Sequence, residues 1–434
     1  EPLGRQSELT FFDTPDNAIL AINGVYDVVS WDENNIPADY VGHNYEFFFG
    51  DILSDDAEKG SSPSDFQVLT EMKEWRSTPG SVPTVALWNN LFIGVYRANL
   101  IIANIDDSPL EENLKNRVKG EAQFLRGYFY FYLLRVFGGL PLFAEPVIPS
   151  QYGAISRATL AETYLFIEND FQAAIELLPE KNAYPAADLG RATKGAARAY
   201  LARAIMDQLG TDNSNGHSWQ EVFDLSDAII NSGQYSLTPN YAEIFEQEGE
   251  NNQESIFEVQ ALESTVDFGP GKVGTTNFIF QNNRTEWGWG FNNPTQDLVN
   301  SFEANDPRLA ITVYGDGDVV LGKIQEVPFP SENMTGFLNR KAAGLAPVAG
   351  KASGQNIRKM RYADVLLMKA EAAANLGNEV EARRLLNQIR LRARQSTLPK
   401  GSVEGDAATY EPTNIPNDAL PDITASGQAL MEAI

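Results

Sequence analysis

Residues 116–142, which read NRVKGEAQFLRGYFYFYLLRVFGGLPL, decide the fold of this chain. Apolar residues recur along the segment at steps of three and four, the period of an α-helix: Val118, Ala122, Leu125, Phe129, Tyr132, Leu133 and Val136. A second apolar stripe lies beside the first: Phe124, Tyr128 and Phe131. Because Gly138-Gly139 and Pro141 follow, and such residues end helices, the pattern predicts a central helix over residues 118–137 that is packed on two sides.

The same periodicity predicts helices on both sides of this segment: 88–104, 160–178, 192–208 and 219–231. The polar residues 106–109 form a connection short enough to make the first of them an antiparallel partner of the central helix. Trp88 and Trp219 begin two of these helices, and we predict that both lie in the core.

Residues 361–394 predict a helix, a turn at 375–378 and a second helix. Four residues match the residue types that the 34-residue tetratricopeptide repeat has at the corresponding positions. They are the small Ala370, the glycine Gly377, the alanine Ala382 and the bulky apolar Leu386. An ordinary helical hairpin is the alternative interpretation. Several helix pairs in one chain favour a small α-solenoid.

Between residues 234 and 356 the helical period gives way to loops and short strands. Residues 255–260 predict a strand, and residues 311–321, interrupted by Gly-Asp-Gly-Asp at 315–318, predict a hairpin. Long segments of this kind, inserted between helical repeats, often carry binding surfaces.

Composition excludes several classes of protein. The 434 residues contain 33 Lys and Arg against 59 Asp and Glu, which gives a net charge of −26, and no cysteine. The negative excess would repel a phosphate backbone, so nucleic acid is not expected as a partner. Without cysteine there are no disulfides, thiolate zinc sites or iron–sulfur clusters. We find no run of about 18 uncharged apolar residues of the kind that spans a bilayer.

Motifs of catalysis and metal binding are incomplete in this sequence. Residues 269–276, GPGKVGTT, lack the Ser or Thr that follows the lysine of a phosphate loop. Asp316 and Asp318 begin like a calcium loop, but Val327 stands where the bidentate glutamate belongs. The two histidines lie in distant segments, and no Gly-x-Ser-x-Gly occurs. We therefore predict no catalytic residue, no metal site and no cofactor, although a glycosidase-type carboxylate pair is neither excluded nor identified.

Aromatic residues in turn-rich segments are the candidate binding residues. Trp287 and Trp289 stand in a Trp-Gly-Trp-Gly-Phe run between asparagine-rich stretches, and Trp75-Arg76 lies between Ser/Pro-rich segments. Flat indole faces beside polar groups suit sugar rings, whose C–H faces are apolar and whose hydroxyls need partners. We predict an exposed aromatic platform of Trp287 and Trp75, with Trp31, Trp289 and Arg76 as further members. The alternative is that these tryptophans anchor loops to the helices.

Five segments, in order along the chain, resemble hallmarks of the SusD/RagB family of outer-membrane nutrient-binding lipoproteins. Residues 116–142 resemble the family's most characteristic segment. The other four matches are residues 18–26, the helix of Trp88 with Tyr96 and Asn99, residues 293–308, and residues 361–372 with 387–393. The resemblance covers nearly the whole chain.

The resemblance implies a mainly α fold, in which four tetratricopeptide-like helix pairs form a right-handed scaffold with an irregular, partly β insertion. We expect one SusD-like domain over residues 1–434. Its helical repeats would lie at about 88–137, 160–208, 193–231 and 361–394, and its insertion at about 234–356.

The resemblance also implies a function. Such a protein is not an enzyme; it binds an oligosaccharide or polysaccharide at the surface of a Gram-negative bacterium and delivers it to a SusC-like TonB-dependent outer-membrane transporter. In the family a lipidated N-terminal cysteine anchors the protein and a further C-terminal helix closes it. We expect that this chain has lost the anchor and is truncated before that helix, and the alternative is that its fold closes differently. The alternatives are a glycoside hydrolase with an unrecognised carboxylate pair and a tetratricopeptide scaffold that binds a peptide.

Overall fold

The structure is a computed structural model that describes residues 11–30, 45–263, 274–286, 288–343, 353–416 and 418–434. About 51% of the chain is helical. The described helices are α1 Pro15–Val29, α2 Tyr45–Phe49, α3 Gln67–Lys73, α4 Val82–Asn104, α5 Glu112–Phe137, α6 Leu160–Leu177, α7 Lys194–Met206, α8 Trp219–Asn231, α9 Asn277–Gln281, α10 Gln296–Ser301, α11 Pro307–Thr312, α12 Tyr362–Asn375, α13 Glu379–Arg394 and α14 Gln428–Ala433. The described strands are β1 Ala57–Gly60, β2 Ser255–Val259, β3 Phe291–Pro294, β4 Val313–Gly315, β5 Val319–Val320, β6 Lys323–Ile324, β7 Phe337–Asn339 and β8 Ile357–Arg361.

The chain divides into two compact units, each assembled from three separate segments. Unit 1 consists of Glu1–Val29, Trp88–Ser236 and Met360–Ala382. Unit 2 consists of Ser30–Leu87, Leu237–Lys359 and Arg383–Ile434. The predicted repeats up to residue 231 fall in unit 1, and most of the predicted insertion falls in unit 2.

Helix α5 is the centre of unit 1, and the prediction that it is buried on two sides is confirmed. Most residues of both predicted stripes are buried, including Phe124, Phe129 and Leu133, and Tyr132 and Val136 are half-buried. Helices α1 and α6 both pack against α5. Gly94 of α4 lies so close to the Phe129 ring that an added Cβ would be 2.4 Å from a ring carbon. The helix begins six residues earlier than the sequence pattern predicts.

A buried ion pair explains the presence of Arg126 within this apolar central segment. The Arg126 guanidinium donates to both carboxylate oxygens of Asp170, at 2.8 and 2.6 Å. It also donates to Asn99 Oδ1 at 2.7 Å, and Asn99 Nδ2 donates to the carbonyl of Phe143 at 2.9 Å. Because buried charges need partners, this network fixes the chain that follows α5 against α4 and α6.

Successive helices of unit 1 pack on one another. Helix α5 packs on α6, α6 on α7, α7 on α8, and α8 on α12. The predicted helix–turn–helix at residues 361–394 is confirmed as α12 and α13, with Gly377 at φ 78° in the turn between them. A φ in this range favours glycine. Lys369 of α12 bridges Asp227 of α8, at 2.7 Å, and Glu381, at 3.1 Å.

One strand pairing differs from the prediction. We predicted a hairpin over residues 311–321, but β4 pairs antiparallel with β7 and β5 pairs with β6. Residues 311 and 312 end helix α11 instead. The acidic side chains of the turn redirect the chain: Asp318 Oδ2 accepts the backbone N–H of Gly315 at 2.7 Å, and Asp316 Oδ1 accepts that of Val327 at 3.0 Å.

Helix α4 is the one helix in the described part of the chain that is long and apolar enough to cross a membrane. Half of its most apolar stretch is buried inside the protein. A core helix has the same properties, so its length and composition are weak evidence for a membrane span.

Candidate functional site: the loops around the β1–β3 ladder

A two-stranded ladder in unit 2 carries the loops that hold the predicted binding residues. β1 pairs antiparallel with β3, and Gly60 lies opposite Phe291. Gly60 has a φ of 78°, and an added Cβ would lie 2.5 Å from the carbonyl oxygen of Gly290. Only glycine fits there. The ladder therefore joins the segment after β1 to the segment before β3, although they are far apart in sequence.

Trp75 lies in the loop after helix α3, and the loop is tied to β1. Lys73 Nζ donates to the carbonyls of Ser54 and Ala57 at 2.8 and 2.9 Å. The backbone N–H of Trp75 donates to the carbonyl of Met72 at 2.9 Å. Trp75 has a φ of 56° and its side chain is 76% exposed. Left-handed backbone costs a non-glycine residue about 1–2 kcal/mol, so the fold holds this indole in solvent at an energetic cost.

Arg76 follows Trp75 and is exposed as well. Its backbone N–H donates to the carbonyl of Glu71 at 2.7 Å, which closes the end of α3. Its guanidinium pairs with the Glu74 carboxylate. Both partners are about half exposed, so this pair contributes little to stability and leaves the arginine accessible to solvent.

Two cations hold the loop at residues 61–66: Arg284 joins it to the loop before β3, and Lys59 joins it to β1. Arg284 Nη1 donates to Ser61 Oγ at 2.7 Å and to Asp65 Oδ2 at 2.8 Å, across 223 and 219 positions of sequence. The buried Lys59 ammonium donates to the carbonyls of Ser62 and Asp65 at 2.8 and 2.7 Å. Burial lowers the pKa of Lys59, with the Asp65 carboxylate acting in the opposite direction. The Arg284 contacts hold the two loops side by side.

Trp289 packs as a loop anchor. It is half-buried, its backbone N–H donates to the carbonyl of Ile279 at 2.7 Å, and its ring meets the Phe280 ring edge to face at 4.7 Å between centroids. Phe280 in turn contacts the rings of Phe66 and Phe291. A contact of Trp289 with ligand remains a prediction.

Sequence reasoning missed a further exposed aromatic residue, Phe329, whose side chain is 58% exposed. Its loop is joined to the same ladder, because the Met334 N–H donates to Asn293 Oδ1 at 3.0 Å and Glu332 lies 3.5 Å from Arg284 Nε. The signal that could have found it is the turn-rich sequence Pro-Phe-Pro-Ser-Glu-Asn at 328–333, which has the same character as the sequence around Trp75.

Trp31 and Trp287 lie outside the described residues. The neighbours of Trp287 are described: Glu286 is paired with Lys323 at 3.2 Å, and Gly288 follows. The structure thus brings together the loops that carry Trp75, Arg76, Trp289 and Phe329. The positions of Trp31 and Trp287 relative to these loops stay predictions.

The chemistry available on these loops is that of binding. Aromatic side chains stand beside carboxylates, guanidinium groups and backbone amides, which together can stack on a ring and hydrogen-bond to its substituents. In the part of the chain that the structure describes, no group of three or more His, Asp or Glu side chains could hold a metal ion.

Two sequence families match the chain. One, described as starch-binding and associating with the outer membrane, matches residues 26–206. The SusD family matches residues 253–434. SusD-like protein P2 of Formosa agariphila is 26% identical over 97% of this chain and 81% of its own length. A SusD-like protein of Bacteroides ovatus is 28% identical, over 50% of this chain and 40% of its own length.

Several solved structures have folds similar to that of this chain. A SusD-like carbohydrate-binding protein from Bacteroides fragilis aligns with a TM-score of 0.75 at 23% identity, over 92% of this chain and 81% of its own. A laminarin-binding SusD-like protein aligns with a TM-score of 0.72 at 24% identity, over 90% and 86%. Surface glycan-binding protein A from Bacteroides thetaiotaomicron, in complex with laminarihexaose, aligns with a TM-score of 0.72 at 21% identity, over 89% and 84%.

Proposed function

Because the chain belongs to the SusD/RagB family, we propose that it is a surface protein that binds an oligosaccharide or polysaccharide and delivers it to a SusC-like TonB-dependent transporter of the outer membrane. The proposed location is the cell-surface side of the outer membrane of a Gram-negative bacterium, with an N-terminal lipid anchor. The proposed role is binding without catalysis, and it is supported by similar proteins that are described as carbohydrate-binding and laminarin-binding.

The observation that carries this proposal is the exposure of Trp75. Residues in sparsely populated backbone regions persist only where the surroundings impose them, and they cluster at ligand-binding sites. Trp75 combines such a backbone with a side chain that is 76% exposed. An indole presented in this way can stack on the apolar face of a sugar ring, while Arg76 and neighbouring polar groups can meet its hydroxyls.

A calorimetric screen of the pure protein against a panel of glycans tests the proposal. Laminarihexaose, the ligand of one structurally similar protein, is the first probe, followed by neutral and acidic plant and algal polysaccharides. We expect heat of binding with at least one glycan and no new reducing ends after prolonged incubation.

The alternatives give different results in the same screen. Release of shortened products would assign the protein to the glycoside hydrolases. Failure to bind any glycan would contradict the proposal and would favour a peptide-binding scaffold or another nutrient. Co-purification with a TonB-dependent transporter from the native membrane would test the delivery step.

A further inference from the structure

Unit 2 contains a cavity of about 220 Å³ whose lining does not include the loop aromatics Trp75, Trp289 and Phe329. The lining combines three phenylalanine rings and five asparagine or glutamine amides with the charged side chains of Asp51, Lys341 and Arg358. Pockets for drug-sized ligands measure about 300–1,000 Å³. The smaller volume here suits one sugar ring, and the mixture of rings and amides suits its C–H faces and hydroxyls.

Lys341 carries a positive charge on the cavity wall. Its ammonium lies over the Phe245 ring at 4.8 Å and the Tyr241 ring at 5.7 Å from the centroids. Among the described residues, no carboxylate lies within 4.0 Å of it. A cation over a ring face is held in place but keeps its need for an anion or a hydrogen-bond acceptor.

The other two charged side chains of the lining have polar partners. The Arg358 side chain is 6% exposed, with Glu258 at 3.8 Å and Glu250 at 4.0 Å. Asp51 accepts a hydrogen bond from Asn292 Nδ2 at 2.9 Å. Of the three charged side chains of the lining, Lys341 is thus the one with neither a hydrogen-bond nor an ion-pair partner in the described part of the chain.

Two amides of the lining keep an unused group. Asn277 Oδ1 accepts from Gln281 Nε2 at 2.7 Å, and in the described residues Asn277 Nδ2 has no acceptor. Gln355 Nε2 donates to the carbonyl of Phe245, and its Oε1 has no donor in the same part of the chain. The cavity thus offers an ammonium, an N–H donor and a carbonyl acceptor to a ligand.

We propose that this cavity binds one carboxylate-bearing sugar unit, a uronate, with its carboxylate on Lys341 Nζ and its hydroxyls on Asn277 and Gln355. A single ammonium matches the single charge of a carboxylate, whereas a phosphate dianion would keep one uncompensated charge. The inference rests on the proposed glycan-binding function, because it names the class of glycan.

NMR titration of the full chain with D-glucuronate, D-glucose and acetate tests the inference. The parent protein is expected to bind glucuronate more tightly than either glucose or acetate. Lys341→Met keeps the packing on Phe245 but removes the charge, and should weaken glucuronate binding about tenfold or more, since hydrogen bonds to charged groups are the strong ones. Lys341→Arg should retain binding.

Lys323→Met is the matched control, because Lys323 is an exposed lysine paired with Glu286 and does not line the cavity. It should bind glucuronate like the parent. If Lys341→Met unfolds, Asn277→Ala supplies the second variant, and it should weaken glucuronate binding severalfold at unchanged melting temperature.

Equal affinity of the parent for glucuronate and glucose would overturn the inference, as would unchanged binding by a folded Lys341→Met. Acetate bound as tightly as glucuronate would overturn the assignment of the sugar ring. Binding of a neutral glycan in the calorimetric screen, with no binding of glucuronate, would overturn this inference and leave the proposed function standing. Failure with every glycan would overturn both.

Discussion

Replacing Trp75 with alanine is expected to weaken the binding of a captured glycan severalfold to tenfold without loss of the fold. Aromatic stacking adds about 0.5–1.5 kcal/mol beyond area burial, and 1.4 kcal/mol is tenfold in affinity. Trp75 is 76% exposed, so little packing is lost. Isothermal titration calorimetry with the glycan found in the screen, together with thermal unfolding, measures both quantities.

Val380→Ala is the control for this substitution, since Val380 on α13 is 74% exposed and lies in unit 1. It should bind like the parent. Trp287→Ala is expected to behave like Trp75→Ala. If both tryptophan variants bind as tightly as the parent, the platform prediction is wrong, and if they unfold, the tryptophans are loop anchors.

His217 is expected to make unit 1 less stable as the pH rises above neutrality. Its ring nitrogens lie 2.9 Å from Glu221 Oε1 and 2.9 Å from Glu168 Oε2. Burial by itself lowers the pKa of His217, but the hydrogen bonds to these two glutamates outweigh burial and raise the pKa above its usual value. The stabilisation is therefore fully present below the unfolded pKa of about 6.5 and is lost as the pH rises through the folded pKa.

Thermal unfolding of the parent and of His217→Gln between pH 5.5 and about 9 measures this contribution. We expect the melting temperature of the variant to be lower than that of the parent at acidic pH, and the difference to shrink as the pH rises. The comparison isolates His217 from Glu246, whose pKa burial raises to about 7 and which titrates in both proteins. A difference independent of pH would contradict the assignment.

Helix α5 is the element on which unit 1 depends, and Phe129 is the position that tests it. Phe129 is fully buried between elements. Phe129→Ala is expected to lower the free energy of unfolding by about 3–5 kcal/mol, the cost of a large cavity in a core. Leu165→Ala, at an exposed position of α6, should cost less than about 0.5 kcal/mol. A loss below about 1 kcal/mol for Phe129→Ala would show that the helix is peripheral.

The contact between α4 and α5 depends on the absence of a side chain at Gly94. An added Cβ would lie 2.4 Å from the Phe129 ring, so Gly94→Ala is expected to destabilise the protein by about 1–3 kcal/mol through overpacking. The same substitution in the Phe129→Ala background should cost less, because the ring is gone. Urea unfolding measures both effects. If Gly94→Ala lowers the free energy of unfolding equally in the two backgrounds, its effect does not come from contact with the Phe129 ring.

For the whole molecule, the net charge of −26 predicts that nucleic acid is not bound. The field of the protein repels a polyanion at long range, and affinity for DNA comes mainly from phosphate neutralisation. A gel-retardation assay with labelled duplex DNA at about 0.15 M salt should give no shift. A shift that disappears at higher salt would reveal a basic surface that the composition conceals.

The long helices from α4 to α8, with α12 and α13, follow from the sequence alone because their signal is local. Helix α8 occupies the predicted residues 219–231, and α12 and α13 meet at the predicted turn with Gly377. Each depends on a period of three to four residues. Helix α5 begins at Glu112, before its apolar stripes begin, because a formed helix extends cheaply into neighbouring polar residues. Apolar periodicity does not register that extension.

Tertiary structure decided the strand pairings and the sites. The hairpin expected at residues 311–321 has the right composition, but β4 finds its partner in β7, and no local pattern specifies a partner that far along the chain. The composition around Trp75 identifies it as a candidate binding residue from the sequence. Phe329 is identified only from the structure, in which its loop is hydrogen-bonded to Asn293.

The cavity beside Lys341 joins residues from segments near positions 50, 245, 280, 340 and 357, and nothing in any one of them predicts it. The sequence determined which stretches are helical, because helical hydrogen bonds and apolar stripes lie within a few residues. Only the tertiary structure decided which side chains lack partners, because a partner for a buried charge or amide can come from anywhere in the chain.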